Sequence, residues 1–170
     1  MKDLNRTILV VDDDDAVRFA LEMTLKSEGH TVLAANGPEQ GLQILRSRPV
    51  DMVISDQTMP RMSGLEFLKL VRDRHPDVMR IMLTGNAELP TVIDAINQGE
   101  IYRFLTKPWD STELKVMLFV AFEQLDLERE NRQLLAQVRY QDTVLRALEK
   151  KYPGVSAMLK ASPAQSPAVN

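Results

Sequence analysis

Through the first part of the chain, short apolar runs alternate with amphipathic stretches, and this alternation restricts the fold more than any other feature of the sequence. The runs are Ile8 to Val11, Thr31 to Ala35, Met52 to Ile54, Arg80 to Thr84 and Ile101 to Leu105. Apolar runs of three to five residues bounded by polar clusters suit strands buried on both faces, as in a parallel sheet covered by helices. The intervening stretches carry helical stripes. Val17, Ala20, Leu21, Thr24 and Leu25 share a face before Gly29, and Leu42 and Leu45 follow a start at Gly37-Pro38. Phe67, Leu68 and Val71 follow the capping box Ser63-x-x-Glu66, and Leu89, Val92, Ile93 and Ile96 precede Gly99. A last helix starts at a cap supplied by Asp110 or Ser111.

The loops after these strands are not equivalent. Asp12 and Asp13 follow the first, Asp56 the third, Thr84 the fourth and Lys107 the fifth, whereas the second strand is followed by nothing of comparable chemical use. That silence is expected of an α/β, flavodoxin-like, doubly wound sheet of five parallel strands in the order 2-1-3-4-5. There the second strand is an outer edge, and ligands bind in the crevice at the carboxyl ends of the others. Taken from its own segment, VDMVISDQTMPRMSG, Asp56 is as well explained by a turn or a helix cap as by chemistry. Taken singly, Thr84 reads as a strand-end hydroxyl and Lys107 as a surface lysine. On this topology, however, all five converge on one edge. Asp14 and Asp15 read as a solvated helix start favoured by the helix dipole.

Three carboxylates in one crevice repel each other unless a cation lies among them. Oxygen ligands without His or Cys select a hard ion, and a pair of carboxylates with waters and a phosphate oxygen is the usual setting of Mg²⁺. Magnesium beside a free carboxylate suggests phosphoryl transfer to that carboxylate, Thr84 offering a hydroxyl and Lys107 a compact charge to the transferred oxygens.

The segments ILVVDDDD, VISDQTMP, MLTG and FLTKPW resemble, in order and spacing, the signature of the bacterial two-component response regulator receiver domain, over residues 7–125. The resemblance implies Asp56 as phosphoacceptor, Asp12 and Asp13 as magnesium ligands with the backbone carbonyl of Thr58, and Thr84 and Lys107 on the phosphoryl group. It also implies Phe104 as an aromatic switch coupled to Thr84, a cis Lys107-Pro108 bond, and Thr58 and Asn86 at the positions that tune phosphoryl lifetime. Gly85 stands where the family often has Ala. The stretch GEIYRFLTKPWD is similar to receivers linked to cyclic-di-GMP phosphodiesterase, kinase or activator outputs. The implied partner is a histidine kinase or phosphotransfer protein, and the implied activity is confined to the chain's own phosphorylation and dephosphorylation. A rival is a haloacid-dehalogenase-type phosphatase, whose D-x-D pattern Asp13-x-Asp15 fits. Another is a phosphorylation-dead coiled-coil adaptor.

From Leu114 to about Lys151 there is neither Gly nor Pro. Met117, Val120, Leu127, Leu134, Val138, Leu145, Leu148 and Tyr152 recur at a 3,4 spacing interrupted by Gln124, Asn131 and Gln141. Such a stripe is buried most simply in a homodimeric coiled coil, with residues 126–152 forming the extension and Asn131 at an a position that fixes a parallel register; a solvated signalling helix and a helix folded back on its own domain are the alternatives. Residues 153–170 shift to Pro, Ser and Ala and read as a disordered tail. The net charge of −3 gives no footprint for nucleic acid or an anionic membrane, and the chain has no cysteine. The first apolar run is too short to span a bilayer or serve as a signal, so the expected location is cytoplasmic.

Overall fold

The computed structural model describes residues 5–85, 89–155 and 157–158. The strands are β1 (Thr7–Val11), β2 (Thr31–Ala35), β3 (Met52–Asp56), β4 (Met79–Thr84) and β5 (Arg103–Thr106). The helices are α1 (Asp15–Ser27), α2 (Pro38–Ser47), α3 (Gly64–Arg74), α4 (Leu89–Asn97) and α5 (Ser111–Lys151). All strands are parallel, in the order β2-β1-β3-β4-β5, with helices on both faces, as the alternation of runs and the silence after β2 imply.

Strand residues alternate between two cores because successive side chains point to opposite faces. Ile8, Val10, Met52, Ile54, Ile81, Leu83 and Leu105 pack with Leu21 and Leu25 of α1 and with the first turns of α5. Leu9, Val11, Val53 and Met82 pack with Leu45, Phe67, Leu68, Val71 and Val92 on the other side. The helix ends follow local chemistry. At Gly29 and Gly99, both in the left-handed region at φ of +86° and +69°, the next residue's N–H reaches back to Leu25 and Ala95, respectively, a Schellman closure. Ser63 and Glu66 form the reciprocal capping box of α3. Asp110, not Ser111, caps α5, its carboxylate accepting from the N–H groups of Thr112 and Glu113.

Several sequence expectations are corrected. On α4 the buried positions are Val92 and Ala95, and Ile93 is half exposed, because a residue one step beyond Val92 is turned about a quarter of the way around the helix. On α1, Ala20 is exposed beside Phe19 and Met23. β5 begins at Arg103, where pairing with Ile81 starts, and Ile101 is instead buried in the turn that follows Gly99. The side chain of Leu89 lies outside the described residues.

The chain divides into two compact units, Met1–Leu125 and Asp126–Asn170. Within the first, α5 contributes Leu114, Met117, Leu118, Ala121, Phe122 and Leu125 to the core. Met117 is therefore a core residue and not part of an outward stripe. Within the second, Leu127, Leu134, Val138, Leu145, Leu148 and Tyr152 are between 37% and 60% exposed. The helix ends near Tyr152, and Gly154 (φ +95°) donates its N–H to Glu149 Oε1 at 2.6 Å. Residue 156 and residues 159–170 of the expected tail lie outside the described residues. Among the described residues no helix is long and apolar enough to cross a membrane.

Candidate functional site

β1 and β3 are adjacent and parallel, so the residues leaving their carboxyl ends are neighbours at one edge of the sheet. Asp12 follows β1 and is buried, and Asp56 is the last residue of β3 and also buried. Together with the exposed Asp13 they offer carboxylate oxygens that all lie within 4.8 Å of one another. β5 sends Lys107 to the same edge, and the Lys107-Pro108 bond that follows it is cis. Its ammonium lies 2.6 Å from Asp56 Oδ1 and 2.9 Å from Asp12 Oδ2.

Backbone groups hold the carboxylates in place. The Thr58 N–H donates to Asp56 Oδ2 at 3.1 Å, and the Asp14 N–H donates to Asp12 Oδ1 at 2.8 Å. Burial pushes the Asp56 carboxyl above the usual carboxylate range; the Lys107 ammonium opposes that shift and Asp12 adds to it. Burial also works against the charge on Lys107. Its bonds to Asp56 and Asp12 outweigh burial and hold its pKa above the ordinary lysine value.

Thr84 is fully buried at the end of β4, one residue past the partner of Asp56 in the register, and its hydroxyl donates to the Gly85 carbonyl at 3.1 Å. Phe104 pairs with Met82, so by strand alternation Phe104 and Thr84 are on the same face of the sheet, one strand apart. The ring is half-buried, packed against the core on that face, and borders an open groove of about 510 Å³ with Arg103, Val116 and Val120. Thr58 is exposed in the loop after Asp56. Asn86 lies outside the described residues. Asp14 and Asp15 stand apart from the carboxylate cluster: Asp14 is the N-cap of α1, and Asp15 pairs with Arg18.

Sequence reasoning missed Arg18. Its guanidinium donates to the Asp12 carbonyl at 2.6 Å while also pairing with Asp15, so a cation from α1 braces the backbone of the acidic loop. The i,i+3 spacing of Asp15 and Arg18 was the available signal. It missed Glu100 as well, a buried carboxylate before β5 that pairs with Lys69 at 3.1 Å.

An all-oxygen cluster of three carboxylates without His or Cys has the donor chemistry of a hard divalent cation, and Lys107 already supplies one positive charge between two of them. The family model described as "Response regulator receiver domain" matches residues 8–119. The hydrogenase transcriptional regulatory protein HoxA of Cupriavidus necator is 34% identical over 146 residues, covering 86% of this chain and 30% of its own length. The DNA-binding transcriptional regulator NtrC of Escherichia coli is 32% identical over 125 residues, covering 74% of this chain and 26% of its own. This chain thus spans roughly a third or less of the curated relatives it matches. The signal receiver domain of an HD domain-containing protein from Pseudomonas fluorescens superposes with a TM-score of 0.71 at 39% identity, covering 76% of this chain and 96% of that one. Since the family model takes in most of the chain and meets the carboxylate edge of a 2-1-3-4-5 sheet, the chain belongs to the response regulator receiver domain family of two-component systems.

Proposed function

We propose that this chain accepts a phosphoryl group on Asp56, with Mg²⁺, from a histidine kinase or a phosphotransfer protein. The observation that carries the reading is the Lys107 ammonium bridging Asp56 and Asp12 where Asp13 completes a three-carboxylate cluster. Asp12, Asp13 and Asp56, with the Thr58 carbonyl, would hold the ion. When bound, Mg²⁺ neutralises charge on the transferring group. An Asp56 oxygen attacks phosphorus, the P–N bond of the donor phosphohistidine breaks, and its electron pair leaves on the imidazole, which takes up a proton. Lys107 then exchanges a carboxylate partner for a phosphoryl oxygen, and Thr84 turns its hydroxyl toward another. Movement of Thr84 frees space on the face it shares with Phe104, and the ring follows inward. α4, β5 and α5 thereby shift between two arrangements that a partner or output distinguishes.

The chain acts on no separate substrate in this reading; it promotes only its own phosphorylation and dephosphorylation. The phosphatase alternative needs a nucleophile and a second acid at Asp13 and Asp15, but Asp15 is engaged by Arg18 on the exposed first turn of α1. The second unit carries the stripe from Leu127 to Tyr152 at half-exposed a and d positions. A second copy of this chain is its proposed partner, Asn131 setting a parallel register. With a net charge of −3 the reading includes no nucleic-acid contact by these residues, and the proposed location is the cytoplasm.

Intact mass after treatment with a small acyl phosphate tests the acceptor. The wild type is expected to gain one phosphoryl group only with Mg²⁺, and Asp56→Asn none. Equal uptake by Asp56→Asn would overturn the assignment, and uptake at Asp13 would favour the phosphatase reading.

A further inference from the structure

Behind the acceptor carboxylate, α3 begins with its backbone pressed against β3. A Cβ built on Gly64 would fall 1.9 Å from the Asp56 carbonyl oxygen, 2.8 Å from its carbon and 2.9 Å from the Gln57 Cα. All three are backbone atoms, so no side chain can rotate away to make room. Gly64 needs glycine for this close approach. The contact is also tied by hydrogen bonds: the Gly64 N–H donates to the Gln57 carbonyl at 2.8 Å, and the Leu65 N–H donates to Gln57 Oε1 at 3.1 Å. From the far side, the Ser55 hydroxyl donates to the same Asp56 carbonyl at 3.0 Å, and the Gln57 N–H is held by Leu83 of β4 at 2.9 Å. The peptide that carries the acceptor is therefore gripped between a neighbouring strand and the first turn of a helix.

We infer that Gly64 is a positioning residue for phosphoryl acceptance: its bare Cα lets the start of α3 set where the Asp56 backbone stands, and with it the carboxylate opposite Lys107. The inference rests on the reading of Asp56 as acceptor. A methyl group at Gly64 demands a displacement of about 1 Å, and misplacement on that scale costs up to about a hundredfold in rate. Gly41 is a built-in control. A Cβ there meets the Phe67 ring at 3.0 and 3.2 Å and a Val11 methyl at 3.2 Å, all side-chain atoms able to give a little. Gly41→Ala therefore perturbs helix packing while leaving the acceptor peptide in place.

The experiment follows phosphoryl uptake from a small acyl phosphate with Mg²⁺ in the full chain, alongside thermal melts. Gly64→Ala is expected to lose at least about tenfold in maximal uptake rate with little change in half-saturating donor concentration. Gly41→Ala is expected to keep the wild-type rate. Should Gly64→Ala not fold, Gln57→Leu removes the acceptor that holds Leu65 and is expected to slow uptake in a folded protein. Wild-type uptake by Gly64→Ala, wild-type uptake by Gln57→Leu in that event, or an equal loss in Gly41→Ala would overturn the positioning role. A wild type that takes no phosphoryl group on Asp56 would overturn the acceptor reading itself, which is a separate result.

Discussion

Replacing Lys107 with methionine isolates the electrostatics of the acidic edge, since the stem keeps its bulk and the cation goes. The ammonium lies 2.6 Å from Asp56 and 2.9 Å from Asp12, and the three carboxylates are within 4.8 Å of one another. At an effective dielectric of about 20, two carboxylates that close repel by about 3.5 kcal/mol. Removing one partner from a buried pair costs about 3–5 kcal/mol, and the lower end applies because the Lys107 side chain is 26% exposed. About 3 kcal/mol corresponds to a fall of about 10 °C in melting temperature for a domain of this size. Burial opposes the charge on Lys107 and its two carboxylate bonds more than restore it, so its folded pKa is raised above 10.5. Its contribution is thus complete at neutral pH and is lost only as pH rises through that higher value. A divalent cation supplies the missing neutralisation, so Mg²⁺ should bind the variant more tightly. Tenfold tighter binding adds about 1.4 kcal/mol to the stabilisation at saturation. Thermal melts of both proteins in chelator and in millimolar Mg²⁺ give all four corners of the cycle. If Lys107→Met melts with the wild type in chelator, or Mg²⁺ stabilises the two equally, Lys107 does not neutralise the acidic edge.

Three other outcomes follow from the same geometry. Burial raises the folded pKa of Asp56 above 3.8, so this group costs stability as pH climbs through the window above that value. Metal-free Asp56→Asn should accordingly melt above the wild type at neutral pH, the gap closing as pH falls toward the ordinary carboxylate range, and a lower melting temperature at neutral pH would contradict this. Leu134→Asp puts a charge in the 54%-exposed centre of the second unit's stripe and should halve the mass seen by sedimentation while leaving phosphoryl uptake unchanged; a dimer that persists would count against the coiled coil. Phe104→Ala should accept phosphoryl groups at the wild-type rate yet abolish the phosphorylation-dependent change in amide exchange on β5 and α5, a change that must otherwise be traced to another residue.

Much of the fold was legible because it follows from local chemistry. The apolar runs, the Schellman glycines Gly29 and Gly99, the Ser63–Glu66 box and the silent loop after β2 are each readable from a few consecutive residues, and together they leave one sheet order. The edge that gathers Asp12, Asp13, Asp56 and Lys107 was legible because parallel strands put all their carboxyl ends on one side. What escaped was set by contacts distant in sequence. Ile93 and Ala20 fit a stripe by composition, but each lies off the arc of its helix that the core covers, and both are exposed. Met117 fits the coiled-coil spacing, yet the first unit's core claims it before the seam begins. Glu100 finds its cation on α3, far away in the chain, and nothing near Glu100 announces that. The closeness of Gly64 to Asp56 depends on the angle of a turn, which no periodicity encodes.

In the proposed reading, Asp12, Asp13, Asp56 and Lys107 form one pocket able to seat a divalent ion beside a reactive carboxylate. Fluorine NMR of beryllofluoride added to the full chain tests this most directly, because the complex forms only where a carboxylate and a metal ion act together. The expected result is a bound resonance that needs Mg²⁺ and is lost in both Asp56→Asn and Asp13→Asn. A bound resonance that survives without Mg²⁺, or in Asp56→Asn, would contradict it.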